Sequence, residues 1–180
     1  MTSAVASTFG SALVPGTAVN PLPEVQLRRA LPEDAPSIAL IWHQGWRDGH
    51  LGFVPDELMA VRTEASFQTR ASQRIGDTTV AVVAGQVAGF MMVVEDKVEQ
   101  VYVAGHHRGS GVADALLAEA EREIRNGGHP RAWLAVVTGN ARARRFYERS
   151  GWSDGGAFDY VAESEQGPIR MPCHRYVKDV

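Results

Sequence analysis

Hydrophobic and polar positions along the chain change period several times, and each change predicts an element. Residues 1–24 are rich in Ser, Thr, Ala, Gly and Pro and show no clear period, so they are expected to form a flexible tail, or an appended tag or stretch from a misplaced start site, without a function of its own. From Val25 the texture changes, and residues 25–180 are expected to form one domain. Val25-Gln26-Leu27-Arg28 alternates as a short strand. Ile38, Ile41, Trp42 and Gly45 then recur at helical spacing, which predicts a helix over 32–48, broken by Gly49-His50-Leu51-Gly52. Pro55-Asp56-Glu57 opens a second helical region running to Arg74.

Thr78–Ala84, Val87–Glu95 and Val98–Val103 read as three strands joined by short turns at Gly85-Gln86 and Asp96-Lys97. The unbroken apolar run in the middle strand predicts burial on both faces. After the polar loop Gly105–Gly111, Val112, Leu116, Ala120 and Ile124 mark one stripe of a helix that Gly127-Gly128 stops. A strand over 131–137 leads to Asn140, a good N-cap for a helix ending near Ser150. Two strands, 152–161 and 169–177, follow. The order β-α-α-β-β-β-α-β-α-β-β predicts an α/β fold with a mixed sheet and helices on both faces.

Composition narrows the class without naming a chemistry. The 180 residues carry a net charge of −3, so no general basic field points to nucleic acid or an anionic membrane. The longest apolar stretch, Val87–Val94, is too short to span a bilayer and no basic signal region is present, so a cytoplasmic protein is expected. The single Cys173 excludes an internal disulfide framework and a cysteine-cluster zinc site, and no metal is expected.

The chemistry lies in Val98–Ala113, where a strand delivers a glycine loop to the first turn of a helix. Unpaired N–H groups and the positive end of the helix dipole favour an anion there, and glycines let the backbone approach it. A phosphate loop of the Gly-Lys-Ser/Thr type is excluded by the absence of lysine. A dinucleotide fingerprint is weakened by Asp114 at its third glycine position, and no Gly-x-Ser-x-Gly nucleophile elbow surrounds Ser110.

Arg108-Gly109-Ser110-Gly111-Val112-Ala113 resembles the Arg/Gln-x-x-Gly-x-Gly/Ala signature of the GNAT N-acetyltransferase superfamily, and small single-domain bacterial members in particular. Val101-Tyr102-Val103 is similar to the strand before that signature. Asn140 followed by Phe146-Tyr147-Glu148 and Gly151-Trp152 is similar to the family's second motif. The resemblance implies acetyl-CoA as acyl donor, its pyrophosphate on the amides of Arg108, Gly109, Ser110, Gly111, Val112 and Ala113. Its pantetheine arm is expected along Val101, Tyr102 and Val103, with the Val103 amide stabilising the oxyanion. Further cofactor contacts are implied for Asn140, although its cap role is the simpler reading, and for Arg142, which forms a basic stripe with Arg145 and Arg149.

By the same resemblance, Tyr147 is the general acid that protonates the departing thiolate, unless it only packs beside Ala143 and Phe146. Glu99 is the candidate base. Strand alternation places it beside Val101 and Val103, where an apolar setting would raise its pKa. His106 and His107 are competing bases, and an acetyl-cysteine route through Cys173 is the less favoured mechanism. Trp46, His50 and Phe53, facing Tyr160 and His174, are the candidate acceptor contacts; Arg47, Asp48 and Arg170 lie nearby. The expected acceptor is a small-molecule primary amine, with a protein amine or a silent CoA-binding domain as alternatives. A homodimer is compatible with such a fold.

Overall fold

In the computed structural model, residues 24–164 and 167–180 are described, so the tail expected over 1–24 lies, apart from Glu24, outside the described residues. The strands are β1 (Gln26–Arg29), β2 (Thr78–Val83), β3 (Gln86–Val94), β4 (Lys97–Val103), β5 (Arg131–Val137), β6 (Ser153–Ala162) and β7 (Ile169–Asp179). They form one sheet in the order β1-β2-β3-β4-β5-β7-β6. Every neighbouring pair is antiparallel except β4 and β5. That parallel step requires a crossover, supplied by helix α4 (Val112–Asn126).

Helices α1 (Ala35–His50), α2 (Asp56–Val61) and α3 (Glu64–Gln73) cover one face, where Ile38, Trp42, Leu58 and Phe67 pack on Phe90 and Met92. On the other face, Leu116, Leu117, Ala120 and Ile124 of α4 pack on Ala81, Met91 and Leu134. Helix α5 (Ala141–Arg149) joins that side through Phe146 and Tyr147. Ala88 to Met92 are buried along β3, as its continuous apolar run predicts for a strand covered on both faces.

The helical region expected over 55–74 is two helices. Thr63 interrupts it because its hydroxyl accepts the Ser66 amide at 3.2 Å, a cap that starts a new helix. The first helix runs two residues further than expected, to His50, and its entrance at Pro32–Asp34 is a 3₁₀ turn. There the buried Asp34 accepts both Arg28 nitrogens, at 2.6 and 3.0 Å, and the Leu31 amide at 2.8 Å. The Arg28 hydrogen bond outweighs burial and holds the Asp34 carboxyl below its usual range.

Two features of β4 shape everything beyond it. Pairing with β3 slips between Met92↔Gln100 and Val93↔Val98, which leaves Glu99 as the extra residue of a β-bulge. Pairing with β5 is registered at Lys97↔Trp133, so the two strands part beyond that point. A bulge bends its strand and increases the local twist, which accounts for the divergence. Trp133 closes the joined end, its amide bonded to the Asp96 carbonyl at 2.9 Å and its indole N–H to the Asp96 carboxylate at 3.0 Å.

Candidate active site at the parting of two strands

Two cavities meet where β4 and β5 separate. A cavity of about 860 Å³ runs between the end of β4, the 107–111 loop and α5. A smaller one of about 230 Å³ lies under α1 and α3. Gly45, Val101, Tyr102, Asn140, Ala143 and Tyr147 line both.

The parting leaves backbone groups of β4 open. Ala104 N–H bonds the Ala88 carbonyl at 2.9 Å, and amides alternate sides along a strand. The Tyr102 amide therefore faces β3, while those of Val101 and Val103 face the gap towards β5. Of the two, Val101 lines both cavities and Val103 the larger one alone.

At the head of α4, Gly109 and Gly111 sit at φ +79° and +86°, backbone that side chains other than glycine rarely adopt. Gly111 is the N-cap and no side chain caps the helix. The first helical hydrogen bond is Ala115 N–H to Gly111 O at 3.0 Å, so the amides of Val112, Ala113 and Asp114 point outward unpaired. The Arg108 and Ser110 amides are turned inward, to the carbonyls of Gly105 and His107, each at 3.3 Å. The open set is thus Gly109, Gly111, Val112, Ala113 and Asp114 rather than the unbroken run 108–113. Arg108 pairs with Asp48 of α1 at 2.6 Å, which ties the loop to the helix opposite. Arg142, Arg145 and Arg149 line the larger cavity and are in no ion pair with the described residues.

Asn140 fulfils its cap role, accepting the Ala143 amide at 3.0 Å, while its amide nitrogen lies so close to α1 that a Cβ on Gly49 would stand 2.6 Å away. Tyr147 presents its phenol at the junction, packed against Phe146, Trp152 and Tyr176. Its hydroxyl has no hydrogen-bond partner among the described residues, and burial pushes its pKa up to about 12.

Glu99 stands elsewhere than strand alternation predicts. Val98 and Val101 pack together on the α4 side, which at a spacing of three requires the bulge between them. The bulge turns Glu99 to the α1 side instead, where it lines the smaller cavity. Its surroundings are charged rather than apolar, with Arg74 at 2.6 Å and Lys97 at 3.9 Å.

The acceptor residues named from sequence divide in the same way. Trp46, His50 and Tyr160 line the smaller cavity. The His50 ring stacks on Trp46 at 4.6 Å and its Nδ1 lies 2.8 Å from the Trp46 carbonyl oxygen. A carbonyl only accepts, so Nδ1 carries the proton and Nε2 is left as an acceptor. Burial pushes the His50 pKa down to about 4. Phe53 instead lies over Gly139, where a Cβ would come within 2.0 Å of its ring, and lines neither cavity. His174 alternates with Tyr176 onto the α4 face and is held there by Asp154 at 2.8 Å. Arg47 and Arg170 are exposed.

His106 and His107 pack on each other outside the smaller cavity, and burial with the neighbouring ring lowers the His107 pKa. Cys173 is buried, its thiol pushed up to about 11. Four cations of the smaller cavity region, Arg62, Arg70, Arg74 and Lys97, were not among the sequence candidates. Their positions read as solvated helix and strand ends, and the break at Thr63 that orients Arg62 leaves no strong pattern.

The family model for the acetyltransferase (GNAT) family matches residues 39–152, which contain the open β4 edge, the glycine loop and Tyr147. The chain belongs to this family. This GNAT protein is an acetyltransferase by membership. It is 29% identical over 158 residues to streptothricin acetyltransferase of Streptomyces lavendulae, covering 81% of this chain and 75% of that protein. Its fold is similar to that of yncA from Salmonella typhimurium, solved with acetyl-CoA, at a TM-score of 0.63 and 18% identity over 87% of this chain and 94% of the other. PaiA N-acetyltransferase of Thermoplasma acidophilum, solved with coenzyme A, gives a TM-score of 0.61 at 16% identity, over 87% and 99%. Among the described residues no helix is long and apolar enough to cross a membrane.

Proposed function

We propose that this GNAT protein moves the acetyl group of acetyl-CoA to a primary amine of a small molecule by direct attack in a ternary complex. The observation that carries the reading is the meeting of two cavities at Tyr147 and the open edge of β4. Donor and acceptor entering from opposite sides can react there without a covalent enzyme intermediate. Burial of Cys173 and its raised pKa argue against an acetyl-cysteine route.

In this reading the open amides of Gly109, Gly111, Val112 and Ala113 hold the pyrophosphate, and Arg142, Arg145 and Arg149 offer charge to the remaining phosphate. The pantetheine arm lies along β4 against the Val103 amide. The oxyanion donor is the Val101 amide rather than that of Val103, because Val101 alone of the two borders both cavities.

Glu99 takes a proton from the acceptor ammonium, directly or through water. The amine nitrogen then attacks the thioester carbonyl, and a C–N bond forms. As the C–S bond breaks, Tyr147 donates its phenolic proton to the leaving thiolate, and the second proton of the amine nitrogen, lost as the amide forms, restores the phenol. At a pKa of about 12 that proton is present throughout the working range. Burial pushes the His50 pKa down to about 4, so the ring stays neutral and its Nε2 orients the amine as a hydrogen-bond acceptor.

A thermal-shift titration with acetyl-CoA, CoA, NAD and ATP tests the donor site, since a ligand of the folded state raises the midpoint by mass action. Thiol release assayed over a panel of amines, streptothricin included, tests transfer. Stabilisation by the CoA compounds alone, followed by amine-dependent thiol release, is the expected result. Tight acetyl-CoA binding without transfer to any amine would favour a silent CoA-binding domain. Stabilisation by NAD or ATP and none by CoA would overturn the reading.

A further inference from the structure

The smaller cavity holds more positive charge than its own residues neutralise. Arg74 is answered by Glu99 and Asp77, at 2.6 and 2.8 Å. Lys97 donates to the Tyr160 hydroxyl at 2.8 Å and lies 3.9 Å from Glu99. Arg62 and Arg70 have no such partner: neither lies within ion-pair distance of a carboxylate among the described residues. Arg62, just beyond α2, donates to the Glu163 carbonyl at 2.9 Å. Arg70 lies over the Trp42 ring at 5.2 Å, and its buried Nε has no hydrogen-bond partner.

Buried polar groups are nearly always satisfied, and a buried cation without a counter-charge is costly. Burial lowers the pKa of both guanidinium groups, that of Arg62 to about 10. The cavity, at about 230 Å³, is smaller than pockets for drug-sized ligands, which bounds the size of the missing partner.

We infer that the acceptor amine carries a carboxylate, as an α-amino acid does, and that Arg62 and Arg70 bind this carboxylate while the amine faces Glu99 and Tyr147. This rests on the acetyl-transfer reading above and names the acceptor class of the same site. A guanidinium presents its N–H groups in a planar fork that suits carboxylate geometry. A polyamine or other multiply cationic acceptor would meet like charge from Arg62, Arg70 and Lys97 on the cavity wall, against the carboxylates of Glu99 and Glu163.

The test uses the full chain with matched triplets of probes: L-amino acids, their α-carboxamides and the corresponding decarboxylated amines. The expected result is a kcat/KM about tenfold or more higher for the carboxylates, carried mainly by KM. That ratio should collapse in Arg70→Gln and Arg62→Gln and be partly kept in Arg70→Lys, which keeps the charge without the fork. Equal or better use of carboxamides or polyamines overturns the inference, as does an unchanged ratio in both glutamine variants. Acetyl-CoA stabilisation without acetylation of any carboxylate overturns it too, while leaving the donor site standing. Should acetyl-CoA itself fail to bind, the reading above fails. A thermal shift by the amino acids that Arg70→Gln abolishes would then still uphold the anion site, and its absence would remove it.

Discussion

Arg74 donates to Glu99 across 2.6 Å, and the contact exists because Glu99 is the bulged residue of β4. Without the extra residue, alternation would bury this carboxylate under α4 rather than in the smaller cavity. One irregularity therefore sets the site of the candidate base and bends β4 away from β5.

Glu99→Gln keeps the shape and removes the base. In a general-base role its loss is expected to lower kcat by about 10²-fold or more, with a smaller change in KM for the amine. Arg74 keeps Asp77 at 2.8 Å, so the fold should survive. Steady-state kinetics beside a denaturation curve separates the two. An unchanged kcat in a folded variant would assign proton removal to another group.

Tyr147→Phe removes a hydroxyl that has no hydrogen-bond partner among the described residues, so little stability should be lost. The expected effect is on kcat, about 10²-fold, with acetyl-CoA binding preserved. Because burial raises the phenol pKa to about 12, the alkaline limb of the wild-type profile should show no descent from this group below about pH 10. A full rate in the variant would reduce Tyr147 to a packing residue.

Legibility in the sequence followed how local each determinant is. The strand, glycine loop and helix around Gly111 could be read because each step is fixed by adjacent residues: an apolar run, glycines for positive φ, then a helical stripe. Asn140 as a cap was legible for the same reason. The bulge at Glu99 was not, since it is a relation between two strands and nothing in Glu99-Gln100-Val101 marks it. The placement of His174 away from the acceptor cavity depends on strand parity and on Asp154 across the sheet. Arg62 and Arg70 were missed because a charged residue at the end of one short helix or along another reads as solvated until tertiary packing half-buries it.

Gly111→Ala isolates the backbone requirement of the loop. A Cβ there meets nothing within 4 Å, so the cost comes from φ +86° alone, about 1–2 kcal/mol for a residue forced into the left-handed region. Acetyl-CoA affinity should fall as well, because the new methyl group stands at the anion cradle. Gly76→Ala, also with nothing within 4 Å and no positive φ, is the control and should be close to neutral. Equal behaviour of the two variants would remove the case for a strained loop.

His50 makes stability depend on pH. Its folded pKa of about 4 lies below the ordinary 6.5, so between these values the unfolded chain holds a proton that the folded chain lacks. Stability contributed by neutral His50 is complete above about pH 6.5 and is lost as pH falls towards 4. Between pH 7 and pH 5 the loss should be about 2 kcal/mol. His50→Gln should flatten the slope by that amount in urea denaturation at the two pH values. An identical slope would mean that the ring is hydrated or already charged.

Gly45 lets α1 approach the sheet where both cavities meet. A Cβ at this position would lie 2.5 Å from Tyr102 Cδ1, on a ring that is itself packed against Phe90. Neither side can yield easily, because α1 is anchored by Trp42 and Tyr102 sits between two hydrophobic elements. Gly45→Ala should therefore cost about 1–3 kcal/mol through overpacking, despite the better helix propensity of alanine. Tyr102→Leu removes the clashing ring edge. If the clash is the cause, the double variant should be more stable than the sum of the single changes allows, by about 1 kcal/mol or more. Strict additivity would place the penalty elsewhere in α1, and the close approach at Gly45 would no longer account for how the junction of the two cavities is held.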